Sequence, residues 1–466
     1  MRQSVRLDHG WRESGLLPGA IWLVLLMAAG AVNCQAQPEA GVQDTSAQAK
    51  PVTITLEEAI RRAEANEPAF AASRAEGRAA ALDRDIARAG LLPSATYHNQ
   101  ALYTEPSRVK NPSGTGASSQ PSQIFIANNA VREYASQASI NETLGLGQLA
   151  GVRRADAAAA RASAELEIAR RGLKAAVTGL FYGSIAADAK LAVAQRAQNE
   201  AAEFSSLTSK REQAREAAHA DVVKAQLQEQ QRQRDLSDAR VAAEKARLEL
   251  GVLLFPDPRT AYVLAAADQI PKLPARADVD QAAARNNPEL KSALASLDVS
   301  HADVMAARAA YLPDLGLNVT YGVDAPQLAV NGPDGARNLG YSASVTLDIP
   351  VWDWLSTQHK LKQSQIRRDA VRVALTATER RLIARLDEAY SEAAAARDQL
   401  DSLDASVATA AESLRLTKLR YSEGEATVLE VVDAQSAFVM AENAREEGRV
   451  RFQAALADLE TLTGTM

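Results

Sequence analysis

Residues 420–435 read RYSEGEATVLEVVDAQ. Leading into them, Leu403, Val407, Ala410, Leu414, Thr417 and Tyr421 follow spacings of four and three, the a/d seam of a packed helix. The turn Tyr421-Ser422-Glu423-Gly424-Glu425 breaks that run. A second helix opens at Thr427, where Thr427-Val-Leu-Glu430 forms a capping box. Glu430 and Asp433 are three apart, so they share a face of this second helix. The stretch is the tip of a helical hairpin, with two acids just inside the second arm.

The tip has a twin. A helical run from Leu149 breaks at Lys210–Ala217, and another long helix follows over Asp221–Leu254. Residues 220–226, ADVVKAQ, align with residues 429–435, LEVVDAQ, so Asp221 matches Glu430 and Lys224 matches Asp433. The correspondence extends through the chain. Asn66-Glu67-Pro68 recurs as Asn286-Asn287-Pro288 and Leu92-Pro93 as Leu312-Pro313, with the same interval between the prolines in both copies. Tyr134 lines up with Tyr341, and Phe181-Tyr182 with Ala389-Tyr390. Each copy is helix, strand, loop, strand, long helix, break, long helix. The first copy occupies 53–255 with a β-hairpin at 94–144, and the second 278–466 with a β-hairpin at 314–349. A Pro-rich linker at 256–277 separates them.

The second copy has the cleaner strands. Leu315, Leu317, Val319 and Tyr321 alternate with Gly316, Asn318 and Thr320, and Tyr341, Ala343, Val345, Leu347 and Ile349 with Ser342, Ser344, Thr346 and Asp348. Such strands, of about 9–11 residues, suit a tilted membrane crossing. Tyr321 and Tyr341 sit at the loop ends, where interfacial aromatics belong, with Tyr103 and Tyr134 in similar places in the first copy. A half-buried hairpin in a soluble domain is the alternative. If the strands cross a membrane, four of them cannot close a barrel, and an open edge in lipid leaves backbone groups unsatisfied. Several chains would then share one barrel, and the same symmetry would set their long helices as a tube continuing from it.

Composition agrees with long helices. Apolar residues make up 47% of the chain but aromatics only 5%, and alanine supplies much of the apolar count. The net charge of −6 comes from acids and bases mixed along the helices, a solvated surface and not a nucleic-acid footprint. Arg2, Arg6 and Arg12 ahead of the apolar run Ala20–Val32 read as a secretory signal over residues 1–36, with a polar linker at 37–52. Cys34-Gln35-Ala36 is the expected cleavage site. Lipidation at Cys34, the only cysteine, is the alternative, and under either reading the mature chain has no disulfide. No enzyme constellation competes: His98, His219, His301 and His359 are scattered without ligand spacing, and there is no phosphate-binding glycine loop or nucleophile elbow. No cofactor and no catalytic residue is expected. Trp352 and Trp354, after the return strand, are expected to anchor at a membrane face.

These features resemble the TolC family of outer-membrane efflux proteins. Leu56-Glu57-Glu58-Ala59 with Asn66-Glu67-Pro68, Leu312-Pro313, Leu347-Asp348-Ile349-Pro350-Val351, and above all Tyr421-Ser422-x-Gly424 with the residues 429–435 carry the likeness, in order, from Val52 to the C-terminus. The resemblance implies a mainly α-helical fold with a transmembrane β-barrel, built as a homotrimer with four strands per chain and 12 in the barrel. It implies residence in the outer membrane of a Gram-negative-type bacterium, the helices forming a tunnel in the periplasm. It also implies a passive export conduit, whose tip opens when a periplasmic adaptor and an inner-membrane pump dock. In the family, acids at Glu430 and Asp433 line the tunnel constriction and bind cations, and three carboxylates per ring raise one another's pKa. An aspartate at Asp221 takes a hydrogen bond from the tyrosine at Tyr421, a closed-state latch. Gly424, Ser422 and Arg215 fall in the tip turns where an adaptor docks. Two departures stand out: the family has arginine where Ala426 stands, and Arg215 replaces the glycine usual in the first tip. A periplasmic coiled-coil scaffold or adaptor with a small soluble β-domain is the alternative function.

Overall fold

The computed structural model describes residues 52–103, 132–265, 271–325, 327–332, 335 and 337–464. The signal segment, Cys34, most of the 37–52 linker and the loop at 105–123 lie outside the described residues.

The chain opens with β1 (Val52–Ile54), α1 (Leu56–Asn66) and α2 (Pro68–Ala89). The Thr55 hydroxyl accepts the Glu58 N–H at 3.3 Å and caps α1, as its position predicts. Glu67 caps α2, with Pro68 in the first turn, where a missing N–H costs nothing. β2 (Ser94–Tyr103) and β3 (Arg132–Leu144) follow, then α3 (Leu146–Gln213), α4 (His219–Leu254) and β4 (Tyr262–Leu264). The second copy repeats the order as α5 (Arg276–Asn286), α6 (Pro288–Ala309), β5 (Asp314–Ala325), β6 (Leu339–Asp348), α7 (Ser356–Ser422) and α8 (Val428–Thr463). Asn287 caps α6 by accepting the Leu290 N–H at 2.9 Å, and Pro288 follows it as Pro68 follows Glu67.

Two helices are the spines of the body. α3 has 68 residues and α7 has 67, each roughly 100 Å long. α3 packs against α2 and then α4, and α7 against α6 and then α8, so each copy is a long helix flanked by two shorter ones. The a/d residues of α7 read from the sequence are those turned inward: Leu414 and Tyr421 are buried, and Leu403, Val407, Ala410 and Thr417 are half-buried among mostly exposed neighbours.

The stretch read as a plain linker holds a strand. β4 pairs in parallel with β1, Val52 opposite Tyr262 and Ile54 opposite Leu264. Beneath them Ile54, Ala59, Ala63, Val177, Phe181, Leu250, Leu254 and Phe255 form one buried cluster. Three-residue strands are too short to show a period, so pattern reading misses them.

The other four strands form one antiparallel sheet in the order β2-β3-β5-β6. The register sorts most side chains by face, one side being mainly apolar apart from Asn99, Ser136 and Glu142. Ala95, Ile140, Val319 and Ala343 share one row, and Tyr97, Ala138, Tyr321 and Tyr341 the next. Leu317 faces Val345 and Leu315 faces Leu347 on that same side. The opposite side carries Ser94, Thr96, His98, Gln137, Ser139, Asn141, Asn318, Thr320, Ser344 and Thr346. The apolar side is bare: Val345 is 69% exposed, Leu347 58% and Tyr341 84%. A soluble domain would cover such a face with a second layer.

Candidate functional site: the paired hairpin tips

Both tips end their first helix in the same way. In the second, Glu425 N–H donates to Arg420 C=O at 2.8 Å and Gly424 N–H to Tyr421 C=O at 3.2 Å, a Schellman turn with Gly424 at φ 80°. In the first, Glu216 N–H donates to Arg211 C=O and Arg215 N–H to Glu212 C=O, both at 2.8 Å. Arg215 therefore takes the glycine position with φ 63°. A side chain there costs about 1 kcal/mol or more. Arg215→Gly is expected to stabilise the protein against heat by about 1 kcal/mol, and Gly424→Ala to destabilise it by a similar amount; a calorimetric melting series reads both.

The two tips meet in an apolar knot of Phe204, Ala225, Tyr421, Val428 and Val431. Ala426 packs against this knot, so the residue that departs from the family pattern adds apolar contact. The Tyr421 ring lies 5.1 Å from that of Phe204, and its hydroxyl is 3.4 Å from Thr208 Oγ1. The expected bond from Tyr421 to Asp221 is not made. The knot draws the phenol towards α3, while Asp221 sits in the first turn of α4, where the helix dipole favours an acid without any side-chain partner.

Glu430 is held locally. The capping box read from the sequence is present: Thr427 Oγ1 accepts the Glu430 N–H at 3.3 Å, and Glu430 Oε1 accepts the Thr427 N–H at 3.1 Å. Arg420 Nη1 approaches Glu430 Oε2 at 3.4 Å. Within one protomer the Glu430 carboxyl is held below its ordinary range, first by the Thr427 N–H, then by its hydroxyl, and further by the Arg420 charge. This is opposite in sign to the mutual repulsion expected of a ring of acids. Asp433 and Lys224 are both exposed, and no ion pair joins them.

Sequence reasoning overlooked Arg211. Its Nη1 donates to Tyr421 C=O and its Nη2 to Ser422 C=O, each at 2.8 Å, and its guanidinium lies 4.8 Å from the Tyr421 ring centre. The available signal was the repeat, in which Arg211 occupies the place of Arg420. Among the described residues no three His, Cys, Asp or Glu side chains gather into a metal site, and no helix is long and apolar enough to cross a membrane.

Residues 279–465 match the model of the outer membrane efflux protein family. The chain is 28% identical over 172 residues to the outer membrane protein OprJ of Pseudomonas aeruginosa, spanning 37% of this chain and 36% of that protein. It is 30% identical over 175 residues to the outer membrane protein TolC of Vibrio cholerae, spanning 36% and 38%. These alignments cover well under half the length of either relative. The fold extends further: the solved outer membrane protein VceC of Vibrio cholerae superposes with a TM-score of 0.74 over 88% of this chain and 96% of that one, at 15% identity. The second copy thus matches the outer membrane efflux protein family, and over most of its length the chain has the fold of a solved outer membrane protein of that architecture.

Proposed function

We propose that the chain is the outer-membrane channel of a tripartite export system, a passive conduit from periplasm to exterior and not an enzyme. The observation that carries this is the sheet, with its bare apolar face, opposite polar face and unpaired edges at β2 and β6. Lipid suits the apolar face, and a water-filled lumen the polar one. Three chains of four strands close into a 12-stranded barrel, and closure satisfies both edges. The long helices then continue the barrel as a periplasmic tunnel that meets an adaptor and an inner-membrane pump at its tips. Val351 and Trp354, 88% and 84% exposed, follow β6 and suit the inner headgroup zone of the membrane. Glu430 and Asp433 serve as the cation-binding constriction. Gly424, Ser422 and Arg215 serve as the turn surface for the adaptor. Tyr421 serves as the closing element, bearing on Thr208 where the family pattern has Asp221.

The test is fractionation followed by crosslinking. The protein is expected in outer membranes as a trimer, and a soluble monomer would end the proposal.

A further inference from the structure

We infer that Arg211 is a clasp that joins the two tips of each protomer and so holds the tunnel mouth narrow, an inference that rests on the channel proposal above. Arg211 leaves the last turn of α3 and lands on the final carbonyls of α7, Tyr421 and Ser422. Those carbonyls are the negative end of the α7 dipole, and the flat guanidinium meets both at once while stacking on the Tyr421 ring.

The repeat makes this choice conspicuous. Arg420 holds the same place in the second tip but turns back on its own hairpin, with Nη2 on Glu425 C=O at 3.0 Å and Nη1 towards Glu430. Two arginines in equivalent turns do different work, and Arg211 is the one that reaches across to the other tip.

The seam above the tip is looser. Lys190–Glu447 at 2.6 Å, Arg196–Glu442 at 2.8 Å and Glu200–Lys418 at 2.7 Å link α3 to the second hairpin. Each pair has a solvent-exposed member, so salt screens it. Among those pairs, the buried Gln435 amide has neither its oxygen nor its nitrogen satisfied, and Asn443 Oδ1 is also unpartnered. Buried polar atoms without partners weaken an interface. Along the seam the other polar links are single bonds, from Arg232 Nη2 to Ser436 Oγ at 2.9 Å and from Arg171 Nη1 to Thr461 C=O at 3.2 Å, whereas Arg211 grips two carbonyls at the end.

A mouth ringed by helical tips widens only by parting neighbouring tips. One clasp in every protomer opposes that parting. Arg211 touches no transported molecule in this scheme; it is a positioning residue acting through the backbone of the second tip.

The experiment is resting conductance of the purified trimer in planar bilayers. If the wild-type protein forms no pores, the channel proposal fails and the clasp falls with it. If it forms pores, Arg211→Ala is expected to shift the closed-to-open ratio about tenfold towards open, the effect of losing a charge-assisted hydrogen bond. Its trimer should melt within a few degrees of wild type. Arg211→Lys, which keeps the charge but not the two-pronged geometry, should fall between. Wild-type resting conductance in Arg211→Ala overturns the clasp. Should Arg211→Ala fail to assemble, Arg211→Lys decides: conductance above wild type supports the clasp, and conductance equal to wild type overturns it.

Discussion

On the channel proposal, Val345→Arg is expected to abolish trimers in the outer membrane, while Ser344→Arg, one residue earlier, leaves assembly intact. Val345 lies mid-strand opposite Leu317 on the apolar side, and Ser344 lies opposite Asn318 on the polar side. An arginine on the lipid side near the bilayer midplane costs about 2–4 kcal/mol, and a trimer carries that cost in every chain. An arginine facing a water-filled lumen stays hydrated. Heat-modifiable trimer bands from outer-membrane fractions read the contrast. Equal loss in both variants would argue that the two faces are not divided between lipid and water.

Asp433→Asn is expected to weaken block of single-channel current by multivalent cations about tenfold or more, and Glu430→Gln to weaken it less. Asp433 is exposed and free of ion pairs, whereas both Glu430 oxygens are engaged, Oε1 by Thr427 and Oε2 by Arg420. A carboxylate facing a cation across water contributes on the order of 1 kcal/mol at close range, and three copies multiply the effect. Arg420→Ala should strengthen the block by releasing Glu430. Block of wild-type strength in Asp433→Asn would remove that residue from the constriction. The sign with pH follows from the depressed Glu430 value. Its capping bonds stabilise the tip above the unfolded carboxyl pKa, and that contribution is lost as pH falls through the lower, folded one.

The architecture was legible because it is periodic and duplicated. The α7 seam, the Thr55 cap, the Thr427–Glu430 box and the alternation along β5 and β6 each leave a local trace that one sequence displays. What failed to show was non-local. The β1–β4 pair joins three-residue strands far apart in the chain. Arg211 binds carbonyls, which every residue possesses, so no residue type at the receiving end could announce it. Tyr421 turned towards Thr208 because of how Phe204 and Val431 pack, a choice made by tertiary contacts. The two tips were legible as helical turns, while the wiring between them was not readable.

The small β1–β4 pair also sets an order of events in biosynthesis. A chain that emerges N-terminus first presents Val52–Ile54 long before Tyr262–Leu264 exists to receive it. At cellular elongation rates that wait is on the order of ten to forty seconds. Ile54, fully buried in the finished molecule, spends the interval uncovered. The cluster under β1 and β4 can seal only once the chain has arrived as far as Leu264, past the end of the first copy and into the linker, so the first copy needs part of that linker to complete its core.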